Sequence, residues 1–276
     1  MAQQLDLSAL GGLVIKSTTA EPKAGNPRPT TAETTAGWLN AIGLKNPGID
    51  NVLADKLPWL ATHYPDLPII GSVAGASFDE YVAVARKMAS APNVKLLEIN
   101  ISCPNVDHGG LAFGTDPATV TALTKAIVAA VDKPVFMKLT PNVTDIVPIA
   151  LAAEAGGAAG LTMINTLTGM GIDLATRQPI LAHGTGGLSG KAIHPLAVRM
   201  IHDVRQHTKL PIIGVGGVFT PVDVLEFYLA GANAVQVGAA TYGHPTACTD
   251  IIAGLPAAMD QYGITSLQAL IQEVQG

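Results

Sequence analysis

Seven times along this chain a short apolar run, most often rich in Val, Ile and Leu, stops at a Gly, Pro or Asn break. The runs are LVIKS (13–17), PIIGSVAG (68–75), LLEINIS (96–102), VFMKLT (135–140), GLTMINT (160–166), PIIGVGG (211–217) and AVQVGAA (234–240). Between most of them lie helix-like segments such as DEYVAVARKMAS (79–90) and PATVTALTKAIVAAV (117–131). Strands that alternate with helices pair in parallel through right-handed crossovers. At 276 residues, a TIM (β/α)8 barrel fits this rhythm. A closed barrel takes eight strands, and the shortfall lies at the front, where only LDLSALGG precedes the first run. The expectation is therefore a barrel lacking its first strand in this chain, with an open doubly wound sheet as the alternative. No linker or shift in composition divides the chain, so 1–276 reads as a single domain.

Composition narrows the function classes. Hydrophobic residues make up 48% and charged residues 13%, which suits a core-rich globular protein. A formal net charge of −5 without any run of Lys or Arg argues against a nucleic-acid partner. The opening MAQQLDLSALGG lacks the basic and apolar regions of a signal peptide. No uninterrupted apolar stretch reaches the roughly 18 residues of a membrane span. The two cysteines, Cys103 and Cys248, form no C-x-x-C pair, so neither a disulfide framework nor a zinc site is expected. A reducing, cytoplasmic setting follows as the default.

Side chains alternate between the faces of a strand. Leu97, Ile99 and Ile101 share one face of LLEINIS, and Glu98, Asn100 and Ser102 share the other. Lys138 and Thr140 stand opposite Val135, Met137 and Leu139 in the same way. The apolar sets suit packing against helices, so the polar sets are expected inside, at the strand ends where barrels keep their chemistry. Three glycine-rich segments look suited to an anion: GTGGLSG (184–190), read as a loop, GVGG (214–217) before a helix opened by Thr220 and Pro221, and VGAA (237–240). Bare backbone N–H groups and a helix N-terminus favour phosphate, and the last two strands of a barrel are its usual seat. A phosphorylated cofactor is expected.

With these segments in place, the sequence closely resembles dihydroorotate dehydrogenase, a flavin-dependent barrel enzyme of pyrimidine synthesis. The resemblance runs from Leu7 to Tyr242 and rests on VIKSTTAEPKAGNP, LNAIGLKNPG, EINISCPN, FMKLTPN, INTLTGM, GGLSGKAI, IIGVGGV and VQVGAA, in order. NVDHGGLAFGTDP and INTLTGM look like class 1B, the NAD-linked type. That class implies a catalytic FMN subunit, as a homodimer core of a heterotetramer, with a partner subunit carrying FAD and a [2Fe–2S] cluster.

The resemblance also implies residue roles. Cys103 matches the catalytic base. Asn40, Asn100, Asn105, Asn165 and Thr166 match side chains that bind the pyrimidine ring and its carboxylate. Lys16 falls beside both flavin and substrate, and Lys138 at the flavin ring, with Ser17, Asn100 and Ile164 also among the cofactor contacts. Gly190, Gly216, Gly217, Gly238 and Ala239 fall where the ribityl phosphate is held. Ala239 departs from the threonine expected there. The family also carries a further N-terminal segment, with the first barrel strand and an A-S-G turn touching the flavin, which the present sequence does not include.

The chemistry implied for Cys103 is physically sensible. A thiol has a pKa of about 8.5, so a small thiolate fraction exists at neutral pH, and a nearby Lys16 would raise it. The glycines of HGGLAFG (108–114) suit a mobile lid that excludes water. A core thiol would rarely sit beside a proline and between two asparagines, whereas Cys248, in a helical segment, reads as core. The histidines show no ligand-spaced pairing: His202 and His207 lie five apart on a helix, while His63, His183, His194 and His244 stand alone. No metal site is expected. Trp38 and Trp59 read as packing residues. Competing readings are a class 1A fumarate-linked enzyme, a dihydropyrimidine dehydrogenase-like domain, and a flavinless barrel acting as a binding or regulatory subunit.

Overall fold

In a computed structural model, which describes residues 5–101 and 110–275, all seven expected runs become strands of one parallel sheet. The first, β1 (Leu13–Val14), leads to a hairpin of β2 (Thr31–Thr34) and β3 (Gly37–Asn40). A short helix, α1 (Ile49–Asn51), runs through a π turn at Val52–Lys56 into α2 (Leu57–His63). Strand and helix then alternate: β4 (Ile69–Val73), α3 (Phe78–Ala89), β5 (Val94–Asn100), α4 (Gly110–Thr115), α5 (Pro117–Val128), β6 (Val135–Lys138), α6 (Val147–Ala155) and β7 (Gly160–Met163). Four short strands interrupt the rhythm: β8 (Leu167–Gly169), β9 (Ile172–Asp173), β10 (Gln178–Pro179) and β11 (Gly186–Ser189). The chain resumes with α7 (His194–Arg205), β12 (Ile212–Val215), α8 (Pro221–Ala230) and β13 (Ala234–Gln236). It finishes in α9 (Ala240–Gly243), α10 (Ala247–Gln261) and α11 (Leu267–Gln275).

The parallel sheet runs β1-β4-β5-β6-β7-β12-β13, in strict chain order. A doubly wound sheet would reverse its order at a switch point, so the alternative topology is excluded and the barrel type holds. Among the described residues β1 and β13 are its two edges, and the strand count is seven, as expected. A second, antiparallel sheet, β2-β3-β11-β8, is assembled from the segments that follow β1 and β7, and so covers the carboxyl end of the first. GGLSG was expected in a loop, yet Gly186–Ser189 is a strand of this second sheet. Glycine weakens a strand locally, but pairing with β3 and β8 on both sides supplies what propensity does not.

Local chemistry explains where helices begin. Ser77 accepts from the Glu80 N–H, Asp116 accepts from that of Thr119, and Thr220 with Asp223 forms a full capping box at α8. Prolines 117, 195 and 221 lie at the first helical positions, where the missing N–H is harmless. The apolar strand face meets these helices: Leu97, Ile99, Met137, Leu139, Leu161 and Met163 are fully buried with Tyr81, Met88, Leu123, Ile127, Ile201 and Phe227 in one cluster. Truncating one of the larger of these aliphatic side chains to Ala typically costs about 2–5 kcal/mol. Among the described residues no helix is long and apolar enough to cross a membrane.

Candidate active site

The expected strands were longer than the ladders. Ladder pairing in β6 stops at Lys138, and β7 stops at Met163, so Thr140, Asn165 and Thr166 lie just past the sheet. Here the chain leaves regular pairing and its polar side chains bond to one another. The Asn165 amide donates to Asn100 Oδ1 at 3.1 Å, and the Asn100 amide donates to Ser17 Oγ at 3.2 Å. Ser17 Oγ lies 2.8 Å from Ser72 Oγ, and the Thr166 N–H donates to Asn165 Oδ1 at 2.7 Å. From the second sheet, the Asn40 amide donates to the Gly187 carbonyl at 3.3 Å. The Met163–Ile164 peptide is cis.

These residues line a cavity of about 300 Å³. Its walls include Lys16, Ser17, Asn40, Asn100, Lys138, Ile164, Asn165 and Thr166, together with Gly190, Gly216, Gly217, Gly238 and Ala239. Every expected site residue within the described part of the chain is therefore brought to one place. Cys103 and Asn105 lie outside the described residues. The lid expected at 108–114 lies partly outside them, and Gly110–Thr115 is the helix α4. Phe113 sets it against α3, with its ring edge-on to Phe78 and Tyr81 at 5.6 and 5.8 Å.

Beneath the cavity lies a buried ionic group. Glu98 is 1% exposed, accepts from Lys138 Nζ at 3.0 Å and from the Gln236 amide at 2.9 Å. Burying a carboxylate is tolerated only with such partners. The inward alternation of Glu98, Asn100 and Lys138 places this group on the expected face. Lys16 and Lys138 are the cationic side chains of the described wall, and no carboxylate lines it. That charge balance suits an anionic ligand.

The glycine-rich end is made of backbone. Among the described residues no protein group accepts from the N–H of Gly217, Val218, Gly238 or Ala239. Gly217 has φ +70°, and a Cβ there would lie 2.7 Å from both the Gly190 carbonyl oxygen and His194 Cβ. A Cβ on Gly238 would meet no protein atom within 4 Å. Unengaged donors around vacant space are what a phosphate requires. Just before α8, the Phe219 and Thr220 N–H groups donate to Asp223 Oδ2 at 2.8 Å. With lysines at one end and vacant N–H groups at the other, the residues present fit FMN.

Sequence reasoning missed Gln236, Tyr242 and the Ile42–Leu44 turn as parts of this region, and placed Glu98 inside without its partners. Glu98 and Gln236 are far apart in sequence, and only the barrel brings their strands to one interior. It also left His194 alone, whereas the fold sets it beside Asp223 and Glu226 of α8. His244 likewise pairs with Asp250, both exposed. Cys248 is in α10 as expected, packed against the core, and burial pushes its thiol pKa up. Trp38 packs edge-on against Tyr242 and Trp59 stacks on His63.

Comparison with known proteins agrees with this architecture. The dihydroorotate dehydrogenase family model matches residues 1–259. The chain is 68% identical over 274 residues to a putative dihydroorotate dehydrogenase A (fumarate) of Pediococcus pentosaceus, covering 99% of this chain and 90% of that protein. It is 60% identical over 270 residues to dihydroorotate dehydrogenase A (fumarate) of Limosilactobacillus reuteri, covering 98% and 88%. It is 58% identical over 276 residues to the catalytic subunit of dihydroorotate dehydrogenase B (NAD(+)) of Streptococcus pneumoniae, covering 99% and 88%. The crystal structure of the Eimeria tenella enzyme in complex with ferulenol has the same fold, with a TM-score of 0.80 at 21% identity, over 96% of this chain and 79% of that one. The chain belongs to the dihydroorotate dehydrogenase family.

Proposed function

We propose that FMN seats in the cavity with its phosphate at the glycine end and its ring beside Lys138 and Lys16, where the chain oxidises dihydroorotate to orotate. FMN, when bound, supplies the hydride acceptor. The chain supplies the rest. Cys103 takes the proton from the carbon next to the ring carbonyl while the hydride leaves the neighbouring carbon. Asn40, Asn100, Asn105, Asn165 and Thr166 hold the ring, because amides and a hydroxyl offer both donors and acceptors to alternating C=O and N–H groups. Being neutral, the asparagines do not repel the substrate carboxylate, and Lys16 attracts it. Lys138 stays oriented by Glu98, and Ser17 by Asn100.

The observation that carries this reading is the meeting of three asparagines and two lysines with a glycine-lined, donor-rich end in one cavity. A visible flavin spectrum in the purified chain, bleached by dihydroorotate under anaerobic conditions, is the expected result. A colourless protein that takes up no FMN would reverse the reading in favour of a flavinless binding subunit.

The electron acceptor is a separate choice. The loop motifs point to the NAD-linked class, whereas the relatives at 68% and 60% identity are named for fumarate and those at 58% for NAD. The relatives' names divide between the two acceptors. The NAD-linked reading would require an iron–sulfur flavoprotein partner, because the sequence contains too few cysteines to hold a cluster of its own. Efficient turnover of fumarate by the chain alone supports the first reading. Turnover of NAD only when such a partner is added supports the second.

A further inference from the structure

His194 opens α7 beside the glycine end of the cavity, and its side chain is only 12% exposed. Its ring is edge-on to Phe227 at 5.0 Å. Nδ1 lies 3.1 Å from the Gly216 carbonyl oxygen and Nε2 lies 2.9 Å from Glu226 Oε2, with Asp223 Oδ1 at 3.9 Å. Lys191, in the preceding turn, is turned onto the Phe219 ring, 5.3 Å from its centroid. Both ring nitrogens thus face acceptors. An Nδ1–H donating to the Gly216 carbonyl holds that peptide in place.

The carbonyl it holds belongs to the same peptide unit as the Gly217 N–H. In a trans peptide the C=O and N–H point in opposite directions, so a donor fixed on the Gly216 oxygen directs the Gly217 N–H away from the histidine. A hydrogen bond at one end of a peptide also strengthens the dipole at the other. Among the described residues no protein group accepts from the Gly217 N–H, and Gly217 lines the cavity.

We propose that His194, held in place by Glu226 and Asp223, is a positioning residue that fixes and polarises the Gly216–Gly217 peptide for a flavin phosphate. The proposal rests on the FMN reading above and adds the source of its phosphate preference.

The test compares FMN with riboflavin, which lacks the phosphate, on the full chain stripped of flavin. Riboflavin affinity reports whether each variant folds. His194→Ala should lose about tenfold of the parent's preference for FMN, as for one hydrogen bond left unmade. His194→Asn can still donate to the Gly216 carbonyl and should keep most of that preference, and Glu226→Gln should lose part of it. Full FMN preference in His194→Ala, or a loss in His194→Asn as large as in His194→Ala, would overturn the proposal while leaving the FMN reading intact. A parent chain that binds neither flavin would overturn both.

Discussion

At one end of the cavity the working groups are side chains, and at the other they are backbone. The side-chain end draws Lys16, Asn100, Lys138 and Asn165 from four separate strand ends, and named partners hold Asn100, Lys138 and Asn165. The backbone end draws on Gly217, Val218, Gly238 and Ala239, whose N–H groups make no bond to protein among the described residues. The difference lies in what evolution and mutation can alter. Side chains recognise one ring and can be deleted singly. A backbone donor survives any substitution that leaves the loop in place, so it is lost only by distorting the loop or filling the space before it.

This contrast can be broken at several points. The largest effect is expected from Cys103→Ser, which replaces the proposed base by a far weaker one at the side-chain end. Flavin reduction by dihydroorotate, followed by stopped flow, should slow about 10²- to 10⁴-fold with flavin still bound. An unchanged rate would remove Cys103 from its role. Next comes Glu98→Ala, which strands Lys138 and Gln236 in the barrel interior. Urea unfolding should show a loss of about 3–5 kcal/mol, as for one half of a buried pair. A loss below about 1 kcal/mol would mean that the pair behaves like an exposed one.

Smaller effects should separate the two ends. Asn100→Ala and Asn165→Ala should each weaken orotate binding by about 1–3 kcal/mol, because ligand groups are left unpaired in a dry site. Orotate titration of the flavin spectrum measures this, and two unchanged constants would defeat the ring-binding assignment. Gly238→Ala should be the mildest for the fold, within about 0.5 kcal/mol, since its Cβ meets no protein atom within 4 Å. Its FMN affinity should nonetheless drop while riboflavin affinity holds. Equal affinity for FMN in variant and parent would mean that the phosphate lies elsewhere.

Much of the barrel was legible because strand and helix periods are local. The seven runs, their order and the polar inner face of LLEINIS and VFMKLT follow from alternation alone. The motifs then named most of the cavity wall. What escaped was of two kinds. GGLSG reads as a turn because glycine dominates it, and only pairing with β3 and β8 makes it a strand. Glu98 reads as one more inward polar residue, and nothing nearby in sequence announces Lys138 or Gln236 as its partners.

The same division runs through the whole molecule. By itself the sequence determined the α/β class, the strand order and the residue types at the strand ends, because each is written in spacings of a few residues. Only the tertiary structure decided which of those ends meet and that His194 holds the Gly216 carbonyl. Such contacts join residues tens of positions apart, and they form only once the sheet has curled and the burial of its apolar face has fixed the helices against it.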